Sequence, residues 1–160
     1  MSQRSSLRGF GMFVVVALCA ALPSRADAPP GQYDSTMGVG TVYDTKTGLT
    51  WQQTAPTTGG DDGTGRYTWS NAKMYCTNLG LNGSGWRLPT VKELLTLVDV
   101  TKENPSIDTS ANGFPAAPSG FFWSATPYAG SPSYAWYVHF NYGYTGSGGV
   151  TNTNRVRCVR

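Results

Sequence analysis

Residues 86–95 read Trp86-Arg87-Leu88-Pro89-Thr90-Val91-Lys92-Glu93-Leu94-Leu95. The stretch leaves a turn at Asn82-Gly83-Ser84-Gly85, runs into a proline and then starts a helix. Pro89 fixes its own φ and biases Leu88 toward an extended conformation. Thr90 and Glu93 stand at the Thr-x-x-Glu spacing of a capping box. In such a box the Thr hydroxyl accepts from the Glu amide, and the Glu carboxylate accepts from the Thr amide. Val91, Leu94, Leu95 and Val98 recur at i, i+3, i+4 and i+7. The spacing predicts a helix from Thr90 to about Val98 with that face buried.

Upstream of this stretch a second helix is expected from Trp69 to about Leu79. Thr68 is its N-cap and Gly80 stands just past its end. Trp69, Ala72, Cys76 and Leu79 share one face, so Cys76 points inward. Residues 54–66 read as a long surface loop. Asp61 and Asp62 stand there among glycines and offer oxygens to a calcium ion. They lack the spacing of an EF-hand loop, so a solvated acidic turn is expected and no metal site is assigned. Val42 and Leu49-Thr50-Trp51 flank Asp44-Thr45-Lys46-Thr47-Gly48, which predicts a β-hairpin. Residues 29–37 are polar with Pro and Gly, and a mobile lead-in is expected there.

The first 28 residues are expected to be a secretory signal peptide. Arg4 and Arg8 give a basic start, and Phe10 to Leu22 is an apolar run of 13 residues. Ala26-Asp27-Ala28 is a small-x-small cleavage site. The run is short of the roughly 20 residues a membrane span needs. An uncleaved anchor is the alternative. A lipoprotein signal through Cys19 is disfavoured by the bulky Leu18. Export to the periplasm, the cell surface or the medium follows from this reading, with no integral membrane segment after cleavage.

Downstream, residues 99–120 show no clear period and read as loop, with Ile107 and Phe114 as apolar anchors. Phe121-Phe122-Trp123-Ser124-Ala125 is expected to be a strand, and Tyr134 to Phe140 another. In the second, Trp136, Val138 and Phe140 share one face, and Tyr137, His139 and Asn141 share the other. Asn141 to Gly146 is expected to turn the chain. Arg155 to Arg160 is expected to close the sheet as a strand that carries Cys158 on the side of Val156.

With 160 residues the chain is long enough for one domain. Charged residues make up only 13%, which argues against a nucleic-acid partner, because phosphate binding needs clustered Lys and Arg. Three of the 12 basic and one of the nine acidic residues lie in 1–28, so the rest carries a formal charge of +1. The overall basicity therefore implies nothing about partners. Cys76 and Cys158 remain after cleavage and most simply pair with each other, the alternative being two buried free thiols.

Catalytic patterns are missing. There is one histidine, His139, and no nucleophile elbow, Walker loop or zinc motif. Capping accounts for Glu93. We expect no enzymatic activity and no cofactor. What stands out is residues 124–155, rich in Tyr, Asn, Ser, Thr and Gly. Tyrosine offers rigid contact area at low entropy cost, and amides and hydroxyls offer adaptable hydrogen bonds. A sugar suits such a surface, its C–H face on an aromatic ring and its hydroxyls on amides. The candidate ligand-binding residues are Tyr128, Tyr134, Tyr137, His139, Asn141, Tyr142, Tyr144, Asn152, Asn154 and Arg155. With Arg157, the histidine and Arg155 would meet a sulfate or carboxylate. Cross-strand packing is the competing role for the tyrosines. Trp123 and Trp136 are expected in the core.

Asp44-x-x-Thr47-Gly48-Leu49-x-Trp51-Gln52, Ala72-x-x-Tyr75-Cys76, Trp86-Arg87-Leu88-Pro89-Thr90-x-x-Glu93-Leu94, Phe122-Trp123-Ser124 and Val156-Arg157-Cys158-Val159-Arg160 occur in this order. Together they resemble the bacterial Lcl C-terminal domain, also called domain of unknown function 1566, over about residues 38–160. The resemblance implies an α+β, C-type-lectin-like fold with two helices on short antiparallel sheets. It also implies a disulfide tying the first helix to the last strand. The named family member is a surface adhesin that binds sulfated glycosaminoglycans. This chain lacks the collagen-like Gly-x-y stalk and the calcium motifs of animal lectins. The resulting expectation is an exported, non-catalytic module for a glycan, with an extracellular protein ligand or a structural envelope role as the alternative.

Overall fold

A computed structural model describes residue 29 and residues 31–160. The signal-peptide reading of residues 1–28 lies outside the described residues. Among those described, no helix is long and apolar enough to cross a membrane.

The capping box at Thr90 forms as its spacing predicts. Thr90 Oγ1 accepts from the Glu93 amide at 3.2 Å, and Glu93 Oε2 accepts from the Thr90 amide at 2.8 Å. Both Glu93 oxygens also receive Arg87, at 2.8 and 2.7 Å. These donors hold the Glu93 pKa down to about 2, the Arg87 guanidinium first among them. The helix they start, α2, is short, Val91–Leu95. Bonds from the amides of Thr96, Leu97 and Val98 to residues three back then tighten the turn. Three residues per turn bring Leu97 under Leu94, and both are buried. Leu95, expected in the core, is swung out to 38% exposure.

Glu93→Gln tests this junction. A carboxylate with a lowered folded-state pKa stabilises above its ordinary value of 4.5 and stops doing so as pH falls toward 2. Because the pair is partly exposed, we expect a loss of only about 1 kcal/mol at pH 7. Urea melts should show that difference closing between pH 4.5 and pH 2. A difference that stays constant with pH would count against the ionic account.

The other helix, α1, spans Trp69–Thr77. Thr68 occupies the N-cap position, but its side chain makes no capping bond. Asp61 braces the start of the helix from outside it, accepting from the Thr68 amide at 2.6 Å and from Asn71 Nδ2 at 2.8 Å. Asp62 accepts from the Thr64 amide and hydroxyl at 2.9 and 2.8 Å. The two carboxylates thus order residues 61–68 from within.

Three small sheets accompany the helices. In the first, β1 (Tyr33–Asp34), β2 (Thr41–Asp44) and β3 (Leu49–Gln52) run antiparallel in that order. The lead-in is therefore not free. Tyr33 is buried with its ring edge-on to Phe114 at 5.3 Å, and that burial holds β1 on β2. The stretch 54–66 carries a two-stranded parallel pair, β4 (Gly59–Gly60) and β5 (Thr64–Arg66). The third sheet has the order β6 (Phe121–Pro127), β7 (Tyr134–His139), β8 (Tyr144–Gly149). Residues 144–149, read partly as turn, form its third strand, and the reversal is confined to residues 140–143.

The C-terminal segment corrects another expectation. Residues 155–160 make no continuous strand but a series of single bridges. Arg155 exchanges backbone bonds with Phe121 and Trp123, Val159 with Arg87, and Arg160 with Thr50. The segment thus stitches β6, the 86–89 stretch and β3 together. Cys158 meets Cys76 of α1 in a disulfide, with Cα atoms 5.3 Å apart. Around it pack Ala72, Trp86, Leu88, Trp123, Ala135 and Val156. A second cluster, on the other face of the β6–β7 pair, includes Val42, Trp51, Leu94, Leu97, Phe122, Val138 and Phe140. Both expected anchors, Ile107 and Phe114, belong to it. Trp123 is fully buried and Trp136 only half-buried.

Candidate functional site

The third sheet is covered on both faces, but unequally. Along one face, residue alternation stacks two rows across the strands. Trp123, Tyr137 and Gly146 stand side by side in register, and Phe121, His139 and Tyr144 form the next row. The first row lies against the disulfide cluster. Gly146 and Gly148 leave the space that the Tyr137 ring fills, since a Cβ at Gly146 would meet its hydroxyl at 2.6 Å. The second row emerges past that cover. Its aromatics meet solvent, with Phe121 at 40% and Tyr144 at 47% exposure.

His139 sits in the middle of this row. Phe121 stacks on it at 4.1 Å with planes 18° apart. Tyr144 and Tyr142 meet it edge-on at 4.8 and 5.8 Å. Burial pushes the imidazole pKa below its ordinary value, so the ring is neutral at pH 7. Its Nδ1 is buried with no hydrogen-bond partner among the described residues.

A cleft of about 340 Å³ opens beside the row. Its walls are Phe121 and His139, Asn141 and Asn154, and the arginines Arg66 and Arg155, with Ser119 and Gly120 at the base. Arg155 Nε donates to Ser119 O at 3.1 Å, which orients the guanidinium. Asn141 Nδ2 donates to Asn104 Oδ1 at 2.9 Å. Asn154 is fixed through its backbone, which exchanges bonds of 3.0 and 2.8 Å with Tyr67. Burial lowers the Arg155 pKa, and the nearby positive charge of Arg66 lowers it further, while Asp62 acts the other way. Among the described residues no carboxylate lines the cleft. A smaller hollow of about 190 Å³ adjoins it, walled by Phe121, Tyr137, Ser147, Gly148, Asn152 and Asn154.

Of the candidate residues, His139, Asn141, Asn154 and Arg155 line the cleft, and Tyr137 and Asn152 line its neighbour. Tyr142 and Tyr144 reach the same place through their contacts with His139. Tyr134 does not, because alternation turns it with Trp136 to the opposite face of β7. Tyr128 packs edge-on against Trp136 at 5.4 Å and is drawn to that face too. Arg157 is fully buried and takes no part in the cleft. Arg66 and Phe121 went unnoticed as site residues. Phe121 was legible in principle, two residues before the core Trp123 on an alternating strand. Arg66 comes from the end of β5, far away in sequence, and carries no local signal.

Two arginines with amides and aromatic edges, and no acid, suit an anionic ligand with polar hydroxyls. Among the described residues no group of three or more His, Cys, Asp or Glu side chains is placed to hold a metal ion. The geometry defines a small disulfide-clamped α+β domain with a basic, aromatic-walled cleft. The chain belongs to the Lcl C-terminal domain family, whose profile matches residues 40–160. No curated protein matches the chain.

Proposed function

We propose that this is a non-catalytic binding module of an exported protein, and that it takes an acidic glycan in the cleft between β6, β7 and Arg155. One observation carries the reading: Arg66 and Arg155 share a cleft, lined by no carboxylate among the described residues, with Phe121 and His139 of a row whose two ends, Phe121 and Tyr144, are exposed. A sulfate or carboxylate fits the guanidinium pair, because charge-assisted bonds to Arg are strong and directional. The sugar ring lies on the aromatic row, and its hydroxyls meet Asn141 and Asn154. The disulfide supports export to an oxidising compartment. The C-type-lectin-like fold and the adhesin-like role implied by family resemblance agree with this reading, at the periplasm, the cell surface or the medium.

Binding of sulfated and uronate-containing polysaccharides, measured by calorimetry with calcium and with chelator, tests it. Selective, chelator-insensitive binding is expected. Arg66→Gln with Arg155→Gln should weaken it about 100-fold, from roughly 1.4 kcal/mol per lost charge-assisted contact. Because an anion favours imidazolium, affinity should rise as pH falls through the lowered His139 pKa. His139→Gln should flatten that profile. Equal binding of neutral and acidic glycans, or none of either by folded protein, would overturn the proposal.

A further inference from the structure

We infer that the outer edge of β8 is a docking edge for a second copy of this chain, through antiparallel pairing of β8 with β8 about a two-fold axis. β8 is the last strand of its sheet and pairs with β7 alone. The register runs unbroken from His139↔Tyr144 to Tyr134↔Gly149. The Val150 amide donates to Ser133 O at 2.9 Å, which sets the phase of the ladder. Antiparallel alternation then turns the backbone groups of Tyr144, Gly146 and Gly148 toward β7 and those of Thr145, Ser147 and Gly149 away from it. Among the described residues, none of those three outward amides donates to another element, and of the outward carbonyls Gly149 O accepts from Asn152 at 2.9 Å.

The outer edges of β6 and β3 are closed. The C-terminal segment covers β6 through Arg155 and β3 through Cys158 and Arg160. Proteins protect open edges with charges, prolines, bulges or very short strands. β1 is only two residues long. β8 is six residues long and has none of these guards, and no charged residue occurs from Tyr144 to Asn154.

Self-complementarity selects the occupant. With Ser147 opposite its two-fold mate, Thr145 stands opposite Gly149, and outward groups meet outward groups. No like charges face each other, Gly146 stands opposite Gly148, and Tyr144 meets Val150 just past the end of the partner strand. The two-fold axis is perpendicular to the joined sheet, so both His139 faces stay on the same side. Two clefts facing the same way would bind one polymer with increased effective concentration. That consequence rests on the proposed glycan role; the pairing itself does not.

Sedimentation equilibrium of the purified protein over a concentration series tests the pairing. The expected result is a shift from one chain mass to two. Ser147→Lys sets like charges opposite each other across the axis. It should weaken association at least tenfold while leaving the melting temperature and circular dichroism unchanged. Ser147→Cys should give an intermolecular disulfide on oxidation, whereas Ser110→Cys, on an exposed loop, should not. A single-chain mass at every concentration, a dimer that Ser147→Lys leaves intact, or equal cross-linking at both positions would overturn the inference. These readouts need no glycan, so they stand or fall separately from the cleft.

Discussion

Removing the disulfide should lower the unfolding free energy by about 4 kcal/mol, enough to leave a domain of this size near its stability threshold. Cys76 and Cys158 are 82 residues apart in sequence, and closing so long a loop in the unfolded chain gives roughly 4–5 kcal/mol in the entropy model. The native side of the balance points the same way. α1 has nine residues and would be marginal alone. Its buried face consists largely of Ala72 and Cys76, so the bridge is its main tie to the C-terminal segment. The pair Cys76→Ala with Cys158→Ala isolates the bridge, since serines would add buried hydroxyls without partners, at roughly 1–3 kcal/mol. Urea melts of that variant, and of the wild type with and without reductant, measure the effect. A loss under 1 kcal/mol in both would show that packing alone holds α1.

How much of this was legible depended on how local each cause was. The 41–52 hairpin and the Thr90 box are set by residues within one turn of each other, and they form as expected; α1 forms where its spacing places it, but Asp61, seven residues before Thr68, braces its start in place of the expected Thr68 cap. Leu95 and Leu97 exchanged places because periodicity assumes 3.6 residues per turn, while the chain tightens to three just past Leu95. The 155–160 segment has the alternation of a strand, yet it is divided among three partners that no pattern within it names. In the site, alternation on β7 correctly placed Tyr137, His139 and Asn141 together. Composition pooled Tyr128 and Tyr134 with them, whereas the structure sets both on the other face, because counting residues ignores which face they take. Arg66 could not be found locally. It arrives through the Tyr67–Asn154 bridge, a contact across 87 positions.

Arg157 is the clearest case of charge misread as function, and Arg157→Ala should cost about 3–5 kcal/mol of stability. Read in sequence beside Arg155, it looked like a ligand contact. Strict alternation would put the two side chains on the same side, but the segment is not a continuous strand, and Arg157 goes inward at 1% exposure. Among the described residues no carboxylate pairs with it. Nη1 donates to the carbonyls of Gln52 and Gln53 at 2.7 and 2.6 Å, and the guanidinium lies over Phe114 at 4.4 Å. Burial lowers its pKa to about 9, so it is still a cation at pH 7. The carbonyl oxygens and ring faces offset part of the desolvation cost. Alanine would strand both carbonyls and open a cavity. Methionine fills the space and removes the buried charge, so Arg157→Met should lose only about 1–2 kcal/mol, the cost of the unpaired carbonyls. Lysine reaches as a point charge and cannot bond both carbonyls while stacking on Phe114. It should fall between the other two. Thermal melts rank the three, and calorimetry against an acidic polysaccharide separates the roles. Folded Arg157→Met that binds like wild type fits a structural cation. Loss of binding at unchanged stability would make Arg157 a ligand contact after all.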